Sequence, residues 1–330
     1  MTDRVEHDID RWVEKILSGD PQAVSRAISS VENRDGGSRE LLRKLFPHTG
    51  RATVLGVTGL SGAGKSTLVG AMTDLLRRQG KTVGILAVDP TSPFSGGAIL
   101  GDRIRMQAHM SDPGTYIRSM ATRGALGGLA RATWDAALVL DAAGKDCILV
   151  ETVGVGQDEV EIAHMADVTL VVLVPGLGDD VQAFKAGVME IADIFVINKS
   201  DLAGADRVER EIEALLNLAV SGAGSGEQWR PPIVKTIATR GQGVDELLAA
   251  IARHLEFSKR HGKLEQRRLG LWRERLLDIL RDHLLREVMQ GFLGNGALNQ
   301  YAAAVASREQ DPYSVVDKIL EQAGWHATRQ

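Results

Sequence analysis

The sequence of 330 residues contains one cysteine, Cys147, so it has no disulfide framework and no cysteine-based metal site. It also has no long apolar run. A stretch such as VTLVVLV has the length of a buried strand, well short of the ~20 residues that a transmembrane helix needs. An excess of basic residues is missing too, and the net charge of -4 argues against binding to nucleic acid by counterion release. The first residues, MTDRVEHDIDRW, are acidic and polar, unlike a secretory signal. We therefore expect a cytoplasmic, soluble protein with reduced thiols that binds neither membranes nor nucleic acid.

The middle of the chain alternates apolar, β-branched runs with helical segments. The runs are TVLGVTG, TVGILAVD, CILVET, VTLVVLV, IFVIN and PIVKTIA. Continuous rather than alternating hydrophobicity indicates strands buried on both faces, as in a parallel sheet covered by helices. The pattern predicts an α/β fold with a mostly parallel central sheet, in which ligands bind outside the carboxyl ends of the strands.

Helical patterns flank this central region on both sides. We expect a helical extension over residues 1–47, an α/β domain over 48–262 and a helical arm over 263–330. In the arm, the apolar stripe is wider than one docking face requires, which favours dimerisation through the arm over simple packing on its own domain. The stripe contains Leu269, Trp272, Leu276, Leu280 and Leu284, and is widened by Leu277, Leu285 and Val288.

The segment GLSGAGKS, Gly59–Ser66, matches the phosphate-loop pattern G-x-x-x-x-G-K-[ST] between a strand and a helix. Its glycines allow backbone N–H groups to turn towards phosphate oxygens, and the helix N-terminus adds positive potential. We expect Lys65 to contact the β- and γ-phosphates and Ser66 to offer its hydroxyl to Mg²⁺. The predicted phosphate-binding residues are Gly59, Ser61, Gly62, Ala63, Gly64, Lys65, Ser66 and Thr67.

The segment NKSD, Asn198–Asp201, follows the strand IFVIN and is predicted to lie at the same sheet edge as the phosphate loop. The carboxylate of Asp201 can accept hydrogen bonds from N1–H and N2–H₂ of guanine, a donor pair that adenine lacks. We expect Lys199 to lie along the base plane, Asn198 to brace the loops, and Ala238 to present its N–H to guanine O6. The pattern favours GTP over ATP.

Carboxylates end two neighbouring strands at this edge. Glu151 ends CILVE and precedes VGVGQ, where Gly154 can bring its N–H close to a γ-phosphate. Asp89 ends VGILAVD and opens the glycine- and proline-rich segment DPTSPFSGGAILGDR, which also carries Asp102. We expect Asp89, Asp102 and Glu151 to surround Mg²⁺, with the segment acting as a switch ordered by the triphosphate. A surface excursion is the alternative for that segment.

With GLSGAGKST, VDPTSPFSGGAILGDRIRM, ETVGVGQDEVE and NKSDL in this order, the chain closely resembles the MeaB/ArgK (MMAA-type) family over nearly its whole length. These are P-loop GTPases of the SIMIBI class associated with methylmalonyl-CoA mutase. The resemblance implies a Mg²⁺-dependent GTPase that gates delivery of adenosylcobalamin to the mutase and protects the mutase from inactivation. It also implies a homodimer formed by the C-terminal arm. Carried over by motif, Lys65 and Ser66 contact phosphates and Mg²⁺, the three acids belong to the metal and hydrolytic site, and Asp201 reads guanine.

Other functions remain open from the sequence. A nickel metallochaperone GTPase needs Cys/His clusters, whereas Cys147 is alone and the eight histidines are scattered. A small-molecule or protein kinase would yield a phosphorylated product rather than free phosphate, and a pure interaction module would show no GTP turnover. Which acyl-CoA mutase is served is likewise open, with methylmalonyl-CoA mutase as the family default.

The segment GLGDDVQAFKAGVMEIAD, Gly176–Asp193, follows the strand VTLVVLV and should reach the nucleotide edge. Asp179, Asp180 and Lys185 have no evident structural task there. We interpret the segment as a third switch that a bound mutase reorders, bringing Lys185 towards the charge developing on the γ-phosphate. The alternative is a solvated loop followed by the start of a helix.

Overall fold

The structure is a computed structural model that describes residues 2–89, 109, 111–121, 128–152, 165–176, 191–220, 228–291, 293 and 296–324. Within these ranges, the side chains of residues 2–7, 89, 121, 128–130 and 219–220 are not described. Tertiary contacts divide the chain into two compact units, Met1–Leu264 and Glu265–Gln330.

The first unit contains a seven-stranded, wholly parallel sheet in the described part of the chain, with the order β3-β2-β4-β1-β5-β6-β7. The strands are β1 (Thr53–Gly59), β2 (Val83–Asp89), β3 (Thr115–Ala121), β4 (Cys147–Glu151), β5 (Val168–Leu173), β6 (Ile194–Ile197) and β7 (Ile233–Lys235). The α/β fold with a parallel central sheet is thus confirmed, and all six predicted strands are present. One strand, β3, had no counterpart among the predicted runs.

Helices cover both faces of this sheet. They are α1 (Thr2–Leu17), α2 (Pro21–Asn33), α3 (Ser38–Leu45), α4 (Lys65–Arg78), α5 (Gly128–Ala142), α6 (Ala205–Val220) and α7 (Val244–Arg260), with 3₁₀ turns at Phe46–His48 and Ala238–Arg240. Fully buried strands such as β4, β5 and β6 explain the continuous apolar runs, because neither face of these strands meets water.

The N-terminal helices share a hydrophobic core with the sheet. Ile16 and Ile28 are fully buried in one cluster with Leu86 of β2 and Ile148 of β4. The start of α2 follows from local chemistry: Asp20 accepts hydrogen bonds from the backbone N–H groups of Gln22 (2.8 Å) and Ala23 (2.9 Å). Residues 1–47 are therefore a packed layer of the first unit.

The second unit is helical in its described residues. It comprises most of α8 (Lys263–Gly291), together with α9 (Ala297–Ala306) and α10 (Pro312–Gln322). Val288, Leu293, Val315 and Ile319 form a small buried cluster that joins these elements. Among the helices of the described ranges, none combines the length and apolar character needed to span a membrane.

Candidate functional site

The phosphate loop connects β1 to α4, and two of its glycines are sterically required. At Gly59 (φ 140°) a Cβ would lie 2.1 Å from the carbonyl oxygen of Val172 on the neighbouring strand β5. At Gly64 (φ 84°) it would lie 2.5 Å from Nδ2 of Asn198. Both positions combine a backbone conformation that L side chains rarely adopt with a close neighbour. The loop is thus packed tightly between β5 and the NKSD segment.

Lys65, the first residue of α4, is buried and folds back over its own loop. Its Nζ donates hydrogen bonds to the carbonyl oxygens of Gly59 (2.7 Å) and Leu60 (2.9 Å). The sequence motif predicts that this ammonium contacts the β- and γ-phosphates of a bound nucleotide. The loop carbonyls solvate this buried charge.

Ser66 and Glu151 are brought together although they are distant in sequence. Because β4 lies beside β1, the last residue of β4 reaches the start of α4, and Ser66 Oγ donates a 2.6 Å hydrogen bond to Glu151 Oε1. Both residues are buried. A hydroxyl and a carboxylate at this position provide the hard oxygen donors that Mg²⁺ prefers.

The remaining predicted acids and switch residues are located only in part. Asp89 is the final residue of β2, level with Ala121 of β3, although its side chain is not described. Asp102, Gly154 and Lys185 lie outside the described residues. Within the described ranges, no cluster of three or more His, Cys, Asp or Glu residues could hold a metal ion.

Asn198 connects the phosphate loop to the predicted base-binding loops. Its Nδ2 donates to the carbonyl oxygen of Ala63 (2.9 Å), and its Oδ1 accepts from the hydroxyl of Thr236 (3.1 Å) and from the backbone N–H of Ala238 (3.1 Å). Asn198 is buried with all three contacts formed. This is the bracing role that the sequence predicts.

The same contact involves Ala238, whose N–H is predicted to contact guanine O6. In this structure its N–H donates to Asn198, and Ala238 lines the adjacent cavity. The next donor along the chain is the N–H of Thr239, which has no hydrogen-bond partner among the described residues.

The cavity beside this loop has a volume of about 220 Å³. Its lining residues come from the phosphate loop, the NKSD segment and the loop after β7: Gly64, Thr67, Asn198, Lys199, Asp201, Leu202, Ile237, Ala238 and Thr239. The sequence predicted these three segments to meet, and the structure places them around one cavity.

Lys199 and Asp201 have distinct environments at this cavity. Lys199 adopts a left-handed conformation (φ 54°), and its Nζ donates to the carbonyl oxygen of Gly62 (2.9 Å). A lysine in this region is strained, which is typical of functional loops. The carboxylate of Asp201 is partly exposed and faces the guanidinium of Arg240. Thr236, Thr239 and Arg240 were not predicted from the sequence. Their position directly after the last strand could have indicated that they lie near the site.

A parallel sheet with a phosphate loop between its central strand β1 and α4 defines a P-loop nucleotide-binding protein. A sequence profile described as "Methylmalonyl Co-A mutase-associated GTPase MeaB" matches residues 24–292. The chain belongs to the MeaB family and is a GTPase.

Relatives and a solved structure agree with this assignment. A protein of Pyrococcus abyssi is 49% identical over 95% of this chain and 96% of its own length. The GTPase ArgK of Escherichia coli is 34% identical over 88% of this chain and 87% of its own. The crystal structure of an LAO/AO transport system kinase has a TM-score of 0.71 and 27% identity, and covers 97% of this chain and 98% of that one.

A mouse protein named "Methylmalonic aciduria type A homolog, mitochondrial" is also similar to part of the chain. It is 36% identical over 75% of this chain and 63% of its own length. The similarity therefore extends to a mammalian protein whose name refers to methylmalonate metabolism.

Proposed function

We propose that the chain is a GTP-hydrolysing chaperone of an adenosylcobalamin-dependent acyl-CoA mutase, with methylmalonyl-CoA mutase as the first candidate. In this role GTP binding and hydrolysis gate loading of the cofactor into the mutase and protect the mutase from inactivation. The observation that carries the proposal is the match of residues 24–292 to a family described as associated with this mutase. The name of the mouse relative gives independent support.

The phosphate loop is proposed to exchange internal contacts for contacts with GTP. Lys65 leaves the carbonyl oxygens of Gly59 and Leu60 and donates to the β- and γ-phosphates instead. The backbone N–H groups at the start of α4 face the phosphates because Gly64 precedes the helix without a side-chain cap. Binding of GTP would thus require the lysine to turn from the loop carbonyls to the phosphates.

Mg²⁺ fits the oxygen atoms that meet at Ser66 and Glu151. Ser66 would be a direct ligand, and Glu151 would accept hydrogen bonds from the water bound to the ion. A bound Mg²⁺ would neutralise part of the charge on the triphosphate. Asp89 and Asp102 are proposed as further acids of this centre, with Gly154 close to the γ-phosphate. The thiol of Cys147 offers no competing soft ligand, because burial raises the pKa of Cys147 to about 12.

Guanine is proposed to bind in the 220 Å³ cavity. Asp201 accepts from N1–H and N2–H₂, and Lys199 covers the base plane while it holds Gly62. The N–H of Ala238 is the donor we propose for guanine O6, and it would exchange its contact with Asn198 for the base. A base with the adenine pattern would leave the carboxylate of Asp201 without donors.

Two features are proposed to contact partners. The segment after β5, with Lys185, is proposed to respond to the bound mutase. Helix α8 is proposed to form a homodimer, and it carries exposed leucines along its length. They are Leu269 (72% exposed), Leu276 (63%), Leu280 (51%) and Leu285 (62%).

Co-purification tests the partner assignment. The tagged chain, loaded with a non-hydrolysable GTP analogue or with GDP, is mixed with purified methylmalonyl-CoA mutase and, in parallel, with another cobalamin-dependent acyl-CoA mutase. We expect a complex with a cobalamin mutase whose stability depends on the nucleotide. GTP hydrolysis without binding to either mutase would leave the GTPase but remove the chaperone role.

A further inference from the structure

Arg240 approaches the residue that reads guanine in the proposed site. Its Nη2 lies 3.7 Å from Oδ2 of Asp201, and the two side chains are 63% and 38% exposed. Neither the phosphate loop nor the NKSD motif includes this arginine. It comes from the 3₁₀ turn after β7, directly after Thr239, which lines the cavity.

The turn that carries Arg240 is fixed to the base-binding loops. The Arg240 N–H donates to the carbonyl oxygen of Ile237 (2.9 Å), and Gly241 closes the turn in a left-handed conformation (φ 67°). An isolated bridge joins Ile237 to Gln242. At the start of the same turn, the backbone N–H of Ala238 donates a hydrogen bond to Oδ1 of Asn198. The guanidinium is therefore presented from a braced turn, not from a free loop.

We propose that Arg240 is a positioning residue for guanine recognition, which orients the carboxylate of Asp201 towards the base. This inference rests on the proposed role of Asp201. A carboxylate has about four lone-pair sites on its two oxygens. Guanine N1–H and N2–H₂ need one on each oxygen, so a guanidinium 3.7 Å from Oδ2 attracts the carboxylate without taking either of these sites. The ion pair limits rotation of the carboxylate, so Asp201 loses less conformational entropy when guanine binds.

The same pair could oppose binding if Arg240 occupied the lone pair that guanine needs. The two possibilities predict opposite signs. If Arg240 positions Asp201, its removal weakens GTP binding, whereas if it competes with the base, its removal strengthens GTP binding. A third possibility, general attraction of the triphosphate by a positive charge, would affect all nucleoside triphosphates equally.

The experiment measures affinities of GTP, ITP and ATP for the wild type and for Arg240→Ala. ITP lacks the N2 amine, and ATP lacks both donors. For an exposed pair we expect GTP to bind about three- to fivefold more weakly to Arg240→Ala. The affinity for ITP should fall by a smaller factor, and ATP should bind the variant and the wild type with the same affinity. Arg240→Lys should recover part of the GTP affinity, since it retains the charge without the planar group.

Arg207→Ala is the matched control. Arg207 is also an exposed arginine, paired with Glu211 at 2.9 Å on α6, and it does not line the cavity. This variant removes the same charge and should bind all three nucleotides as the wild type does. The unfolding midpoints of both variants should equal that of the wild type.

Three results would overturn the inference: unchanged GTP affinity in Arg240→Ala, tighter GTP binding, or an equal loss for GTP, ITP and ATP. A double-variant cycle with Asp201→Ala separates this inference from the base site itself. Arg240→Ala should have no further effect once Asp201 is gone. If Asp201→Ala leaves the preference for GTP intact, the base site is wrong and the inference falls with it. If Asp201→Ala abolishes the preference but Arg240→Ala does not reduce it, the inference alone is wrong.

Discussion

Ser66 and Glu151 are 85 positions apart in the sequence and share a 2.6 Å hydrogen bond between two buried side chains. The contact exists because β1 and β4 are parallel neighbours, with Val57 level with Glu151. It connects the first turn of α4 to the end of a strand whose next residues lead into VGVGQ. A change at either residue is therefore expected to affect both the phosphate loop and the segment that carries Gly154.

Glu151→Ala should retain nucleotide binding and slow GTP turnover, because the carboxylate is assigned to the metal water rather than to the nucleotide. We expect a loss of about 10²-fold or more in kcat, with the affinity for GTP changed by a few-fold at most. Single-turnover hydrolysis and a direct titration of GTP measure the two effects. Asp167→Asn is the control: Asp167 is also buried, but it lies at the amino end of β5, where it accepts from the N–H of Val54. Wild-type turnover in Glu151→Ala would show that the assignment of this strand end is wrong.

Lys65→Ala should abolish hydrolysis because it removes the one side chain directed at the β- and γ-phosphates. The fold should persist. The substitution leaves one buried and one partly buried carbonyl oxygen without the ammonium and also removes a buried charge, so we expect the free energy of unfolding to fall by about 1–3 kcal/mol. Phosphate release and urea unfolding report the two quantities, with the exposed Lys81→Ala as the control. Residual hydrolysis near the wild-type rate would contradict the role of Lys65.

Asp201→Asn should reverse base preference. An amide presents a donor where guanine also has donors, and losing the paired polar contact costs on the order of 2–4 kcal/mol in GTP binding. Xanthosine triphosphate, which has a carbonyl at that edge, should bind the variant better than GTP does. Equal GTP affinities of variant and wild type in a direct titration would remove the argument for guanine recognition by this residue.

Much of this site follows from the sequence because its residues lie at the ends of strongly apolar strands. Continuous runs such as CILVE and VTLVVL predict buried parallel strands, and the carboxyl ends of such strands share one edge. That places Lys65, Glu151 and Asp201 at the same edge without any knowledge of side-chain contacts.

The missing strand has a physical explanation. β3, TYIRSMA, interrupts its apolar residues with Arg118 and Ser119, and it is the edge strand next to β2. Most of its side chains are only partly buried, so the continuous apolar signal is absent. Arg118 of β3 instead pairs with Glu32 of α2 at 2.6 Å. Arg118 and Glu32 are 86 residues apart, so the local sequence pattern does not predict that this strand packs against α2.

Arg240 and Thr239 were missed for a different reason. Thr239 lines the cavity and Arg240 faces Asp201 because both belong to the 3₁₀ turn Ala238–Arg240. No periodicity in the sequence encodes such a turn. The contribution of Asp102, Gly154 and Lys185 stays a prediction, since these residues lie outside the described ranges.

Asp112→Asn should lower stability in a pH-dependent way. Hydrogen bonds from Arg77 (2.6 and 3.0 Å), followed by those from Gly114 and Thr115, hold the pKa of Asp112 well below its usual value. Because the pKa is lower in the folded state, the stabilisation is complete above the unfolded-state value of about 3.9 and is lost as the pH falls towards the folded-state value. For a partly exposed pair we expect a loss of about 1–2 kcal/mol at pH 7.

Urea unfolding of both proteins at several pH values measures this difference. Other carboxylates titrate alike in the two proteins, so the gap between their unfolding free energies isolates Asp112. The gap should be constant from about pH 7 to 5 and should narrow below about pH 4. A gap that widens in acid would contradict the assignment.

Lys185→Ala should remove stimulation of GTP hydrolysis by the mutase while slow intrinsic hydrolysis and affinity for the mutase remain within about a few-fold of wild type. A cation brought in by a partner accelerates hydrolysis roughly 10³–10⁵-fold in GTPases. A mobile lysine should accelerate it less than an arginine does. Turnover with and without saturating mutase makes the comparison. Full stimulation in the variant would exclude this role, and an equal loss in both conditions would make Lys185 an ordinary active-site residue.

The central claim, a GTPase that serves a cobalamin-dependent mutase, is tested most directly by the rate of phosphate release from GTP by the wild-type chain, measured alone and with increasing concentrations of purified methylmalonyl-CoA mutase. The account predicts slow release from the chain alone and a saturable increase on addition of the mutase, with no phosphorylated protein or small-molecule product. The same rate at every mutase concentration, or transfer of the phosphoryl group to an acceptor other than water, would contradict it.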